Sequence, residues 1–212
     1  MTRITAIFIT FLFIFLQSAA QDSKANKILE ELKEKTRSYL TIQAEFTYSV
    51  TNPQQDLNES FNGVLYIKGD SYRLSLAGQL VICDGETTWT YIEDAQEVQI
   101  NSVEEEDESL TPSKIFNSVF DDYTSQFTGE YNQDGRILQK IELTPVENKS
   151  FSKIILEIDK FKLEIVQLAV SDISGNRYSY KITRFNTGMP IGDDKFTFNI
   201  NAFPDAEIID MR

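Results

Sequence analysis

From Ala44 to Ile100 the apolar residues of this chain recur at every second position in short runs, and each run ends at a turn rich in Gly, Asp or Asn. Phe46, Tyr48 and Val50 alternate with Glu45, Thr47 and Ser49, and a polar turn over 52–60 leads to Phe61, Gly63, Leu65 and Ile67. Gly69-Asp70 precedes Tyr72, Leu74 and Leu76, and Ala77-Gly78 precedes Val81 to Cys83. A period of two sends alternate side chains to one face of a strand, and runs this close together leave no room for the crossovers that parallel strands need. The pattern predicts an antiparallel meander. At its centre, Asp84-Gly85 parts Val81–Cys83 from Trp89 and Tyr91. A type I′ turn is expected there, because it needs positive φ, which Asp tolerates and Gly permits.

The second half repeats the pattern. Strands are expected over Ile137–Leu143, Ile154–Ile158, Leu163–Val170, Tyr178–Arg184 and Lys195–Ile200, with turns at Asp134-Gly135, Asp159-Lys160 and Ser174-Gly175-Asn176. The total, about 10–11 strands, makes a sheet that must curl, split or close as strand twist accumulates. Two stretches depart from the period of two. After Asp22 or Ser23 as cap, Ala25, Ile28, Leu29, Leu32, Thr36 and Tyr39 fall on one face of a helix, with Lys and Glu on the other. Its charged face mixes signs, which favours packing on a sheet over contact with a membrane. Further on, Thr111-Pro112 supplies an N-cap and a first-turn proline. The helix it starts would carry Ile115, Phe116, Val119, Phe120 and Tyr123 as an aromatic stripe, either plugging one end of a barrel or serving as a lid.

Residues 1–20 read as a signal peptide: Arg3, an apolar run from Ile4 to Leu16, and small residues at Ser18-Ala19-Ala20. The run is shorter than the roughly 20 residues of a membrane span. Cleavage after Ala20 leaves residues 21–212 as a single exported domain, about 190 residues, enough for one sizeable core. Cys83 is the only cysteine, so no internal disulfide can form, and it reads as a small buried apolar residue. The formal charge is −13 and becomes −14 when Arg3 leaves with the signal, which argues against nucleic acid as a partner. The run Glu104–Glu108 lacks the ligand spacing of a calcium loop, and no metal is expected.

Chemistry has few groups to work with. The chain has no His, which removes His-based triads and His-coordinated zinc, and no phosphate loop or nucleophile elbow is present. A carboxylate pair remains as one hydrolytic possibility. What the chain has in abundance is 15 Phe and 9 Tyr. Apolar surface beyond what two helices can cover calls for a cavity or a partner. A sheet fully filled by its own side chains is the competing expectation.

The order of these motifs resembles the LolA family of outer-membrane lipoprotein carriers. The resemblance runs through a leading amphipathic helix, Ala44-Glu45-Phe46-Thr47, Gly63-Val64-Leu65-Tyr66-Ile67-Lys68, Asp84-Gly85 with Trp89-Thr90-Tyr91, and Thr111-Pro112. It continues through Leu143-Thr144-Pro145, Asp172 to Tyr178, Phe196-Thr197-Phe198 and Ile209-Asp210. It implies a mainly β fold, an incompletely closed antiparallel barrel with an N-terminal helix and a mid-chain helical lid. It also implies carriage rather than catalysis, no cofactor, and a periplasmic location. The implied partners are acylated lipoproteins, an inner-membrane ABC exporter, and an outer-membrane acceptor or the membrane itself; the carrier is expected to be a monomer. The expected cavity lining is Phe46, Tyr48, Leu65, Ile67, Tyr72, Leu74, Leu76, Trp89 and Tyr91, with Ile115, Phe116, Val119 and Phe120 on the lid. Family members have an Arg-Pro pair after the strand lysine, whose arginine helps hold the lid; here Gly69-Asp70 follow Lys68, and Leu74 stands where members carry Trp. A carrier or sensor of another lipid or glycolipid has the same expected cavity and a different cargo.

Overall fold

A computed structural model describes residues 22–103, 123–146 and 151–212. The stretch expected to be a signal peptide (residues 1–20), the acidic run Glu104–Glu108, and Ile115, Phe116, Val119 and Phe120, expected on a lid, lie outside the described residues. One helix, α1 (residues 22–37), precedes the strands. The strands are β1 (Ile42–Asn52), β2 (Leu57–Lys68), β3 (Ser71–Leu76), β4 (Gln79–Cys83), β5 (Thr87–Ile92), β6 (Glu97–Ser102), β7 (Tyr123–Gln133), β8 (Arg136–Pro145), β9 (Phe151–Asp159), β10 (Glu164–Asp172), β11 (Arg177–Thr187) and β12 (Glu207–Asp210).

They form one twelve-stranded sheet in the order β12-β6-β5-β4-β3-β2-β1-β11-β10-β9-β8-β7. Neighbours are antiparallel throughout except β12, which runs parallel to β6. The chain meanders from β1 to β6 on one side of β1, and β11 closes against its other side with β10 to β7 beyond. The two end strands, β7 and β12, do not pair with each other, so the barrel is incompletely closed.

The turns follow their local chemistry. Ala77-Gly78 and Asp134-Gly135 both have positive φ at both positions, the geometry of two-residue hairpins whose twist matches the strands. The turn at Asp84-Gly85 differs from the type I′ expectation: only Gly85 has positive φ, at 105°. Asp84 instead accepts the Glu86 and Thr87 amides on its Oδ1, at 2.9 and 2.8 Å, and the loop opens to pair Cys83 with Thr88.

Three boundaries are corrected. The polar turn expected over 52–60 is much shorter, because β2 begins at Leu57. Tyr123, expected on the lid helix, is the first residue of β7, an edge strand whose polar sequence YTSQFTGEYNQ carries little alternation. Lys195–Ile200 is not a strand: 3-10 turns at Asp193–Phe196 and Ile200–Ala202 carry the chain across the sheet before β12.

Helix α1 lies on the sheet as its periodicity predicts. Ala25, Ile28, Leu29 and Leu32 are buried in a core with Tyr123, Phe127, Ile141, Leu143, Ile154, Leu156, Ile158, Ile165, Leu168 and Val170. Burial of each of its three larger side chains contributes about 1.5–3 kcal/mol. Lys24 sits over the Phe127 ring at 3.6 Å, and the Asn26 side chain accepts the Ser125 hydroxyl at 2.6 Å. The helix therefore fills the β7–β11 half of the face it covers, here called the inner face.

Candidate functional site

The other half of the inner face is built by β1 to β4. Residues paired across antiparallel strands share a face. Ile42, Ala44, Phe46 and Tyr48 on β1 are in register with Ile67, Leu65, Gly63 and Phe61 on β2. Ile67, Leu65 and Gly63 in turn pair with Tyr72, Leu74 and Leu76, and those with Cys83, Val81 and Gln79. Seven of the side chains expected to line a cavity thus stand together: Phe46, Leu65, Ile67 and Tyr72 buried, Tyr48, Leu74 and Leu76 half-buried around them. None of the α1 residues joins this cluster; Tyr39, just beyond the helix, and Val103 pack at its margin.

Gly63 makes room for Phe46. A Cβ built on Gly63 would come 2.4 Å from Cζ of the Phe46 ring, so the ring lies flat across its cross-strand glycine. Phe46 and Tyr48 then meet Tyr180 of β11, with ring centroids 5.9 and 5.1 Å apart. Tyr180 borders both cores and is the seam between the helix-covered half and the half-buried one. Burial, with the neighbouring Tyr48 and Tyr178 adding to it, pushes its hydroxyl up to about 12. Burial likewise raises Tyr48. These tyrosines present neutral rings with polar tips along the seam.

Sequence reasoning missed Val81, Ile182 and Phe185, which also pack against the cluster. For Ile182 the alternation of Tyr178, Tyr180 and Ile182 was a readable signal. Phe185 breaks that parity because the register between β1 and β11 shifts at Glu45/Phe46, where Thr183 donates its hydroxyl to the Glu45 carbonyl at 3.0 Å.

Trp89 and Tyr91 are not part of this surface, and their expected place in the lining is corrected. Since Cys83 pairs with Thr88, Thr88 and Thr90 face inward, while Trp89 pairs with Ile82 and Ile100, and Tyr91 with Leu80 and Val98, on the outer face. That face is covered by the segment between β11 and β12. Trp89 stacks on Phe198 with centroids 6.1 Å apart and planes 4° from parallel, Tyr91 meets Phe203 at 4.3 Å, and Phe196 is buried. Polar groups fix the crossing: Lys68 pairs with Asp193 at 2.5 Å and donates to the Ile191 carbonyl, and Arg73 donates to the Lys195 carbonyl at 3.4 Å. Arg73, in register with Tyr66 and Ile82, therefore acts on the outer face. The resulting site is one broad apolar patch with a half-buried rim and no cluster of metal-ligating side chains among the described residues.

Comparison with known proteins adds a second, independent line of support. The model of the family described as outer membrane lipoprotein carrier protein LolA matches residues 37–199. An outer-membrane lipoprotein carrier protein from Psychromonas ingrahamii is 25% identical over 216 aligned positions, covering 100% of both chains. A crystal structure of an uncharacterized conserved protein from Thermus thermophilus matches with a TM-score of 0.59 at 14% identity, over 88% of this chain and 99% of that one. The structural match shows a shared fold.

Proposed function

The chain belongs to the family of the outer membrane lipoprotein carrier protein LolA, and from that premise we propose that it is a periplasmic carrier that shields the acyl chains of lipoproteins on their way from the inner to the outer membrane. Members of this family are non-enzymatic binding proteins. The observation that carries the reading is the half-buried apolar rim of Tyr48, Leu74 and Leu76 around buried Phe46, Leu65, Ile67 and Tyr72 on one face of β1–β3.

The energetics favour such a surface. At about 0.8 kcal/mol per buried CH₂, one 16-carbon chain in water costs on the order of 12 kcal/mol. A soluble carrier has to offset most of that cost and still release the chain, which a shallow apolar face under a movable cover allows and a sealed core does not. In this reading residues 1–20 direct export, Ile115, Phe116, Val119 and Phe120 close over the bound chain, and Phe116→Glu weakens binding. Cargo comes from an inner-membrane ABC exporter and passes to an outer-membrane acceptor or to the membrane itself, the carrier acting as a monomer.

The test is acyl binding by paired variants. Leu74→Glu places a charge on the inner face and is expected to lower affinity for a fluorescent fatty acid by at least about tenfold, because a carboxylate is costly to bury. Trp89→Leu, on the outer face, is expected to leave affinity unchanged while lowering thermal stability. Equal affinity in Leu74→Glu and wild type, both folded by circular dichroism, would remove the inner face as the site.

A further inference from the structure

The inner face changes character at β5 and β6. In register with the apolar rows of β1–β4 stand Thr88 and Thr90 on β5, and Asn101 and Gln99 on β6. Uncharged hydrogen-bonding side chains thus continue a surface that is otherwise aliphatic and aromatic. Thr88 is the residue that matters. It is 1% exposed, it lies directly across from buried Cys83, and its Oγ1 has no hydrogen-bond partner among the described residues.

A buried hydroxyl left unpaired costs about 1–3 kcal/mol, and valine would fill the same volume on a β-strand without that cost. A chain with an unpaired threonine hydroxyl buried at this position, across from Cys83, is carrying a destabilising group, and a ligand that pairs with it removes the penalty. We propose that Thr88 anchors the polar head of the bound acyl chain. The ligand then lies across the sheet with its ester or amide carbonyl accepting a hydrogen bond from Thr88 Oγ1, its head among Thr90, Gln99 and Asn101, and its hydrocarbon over β1–β4. This rests on the carrier reading above and specifies its ligand as an acyl chain bearing a carbonyl, in preference to bare hydrocarbon.

The experiment displaces a bound naphthylamine probe with methyl laurate or with tetradecane of matched length, each delivered from cyclodextrin, in wild type, Thr88→Val and Thr88→Ser. Wild type is expected to favour the ester by about three- to tenfold, the range one neutral hydrogen bond supplies. Thr88→Val is expected to lose that preference while its Tm rises, and Thr88→Ser to keep the preference. A purely structural hydroxyl gives the opposite pattern: a Tm that falls in Thr88→Val with the preference intact, and either result overturns the assignment. Failure of both compounds to displace the probe from wild type would overturn the carrier reading itself, and this inference with it.

Discussion

Gly63 is required by sterics rather than by its backbone angles. Its φ is not positive, and what excludes a side chain is the buried Phe46 ring over it. Gly63→Ala is expected to cost about 1–3 kcal/mol in a urea titration, the range for overpacking a core. Asn52 is a second case. It is fully buried at the end of β1, donates to the Asn176 side chain at 2.8 Å and accepts the Gln54 amide at 3.1 Å, tying two hairpin ends together. Asn52→Leu would leave Asn176 and the Gln54 amide without these bonds, and a loss of about 1–3 kcal/mol is expected in the same assay. Asp172 anchors the loop on the other side of that contact. Its carboxylate accepts the Asn176 side chain at 2.7 Å, the Ser174 and Asn176 amides, and the Tyr178 hydroxyl, which hold it below the ordinary aspartate value of 3.8. A carboxylate with a depressed folded value contributes its stabilisation above the unfolded value and loses it as pH falls through the folded one. The Tm of Asp172→Asn is therefore expected to fall below wild type at pH 7, with the gap narrowing as pH is lowered below about 4.

At the scale of elements, the meander was legible where each residue's neighbours lie two positions away. The inner positions of β1 to β3 follow directly from alternation, and α1 from its 3.6-residue spacing. The inward side of β5 was not legible. Trp89 and Thr88 alternate equally well in either phase; what selects the phase is pairing with β4 and the cover that Phe196, Phe198 and Phe203 supply from far along the chain. Residue size pointed the wrong way, because a large aromatic suits any buried face. β7 escaped notice because an edge strand with one solvated side carries few apolar residues. The outer location of Trp89 has a direct consequence. As the chain's only tryptophan, it should keep its emission unchanged when an acyl ligand fills the inner face, and shift red when the 188–206 segment is loosened by Phe198→Ala. A ligand-induced blue shift or quenching would place Trp89 at the site after all.

On the scale of the whole molecule, one inner face is put to two uses. Helix α1 fills the β7–β11 half and supplies a conventional core. The β1–β4 half keeps a rim that no residue of α1 covers, with Tyr180 at the seam. A single continuous sheet connects the filled half to the half-buried one. A formal charge of −13 favours solubility of a surface with such a patch and weakens its attraction to anionic lipid. That combination suits the proposed carrier, which would take acyl chains from one membrane and not remain there.

Native mass spectrometry of the protein purified from the periplasm, with extraction of whatever co-purifies and Leu74→Glu in parallel, tests this account most directly. A bound mass that yields lipopeptide from wild type and is missing from Leu74→Glu is the expected result. A wild-type protein that is empty and takes up no fluorescent fatty acid would contradict it.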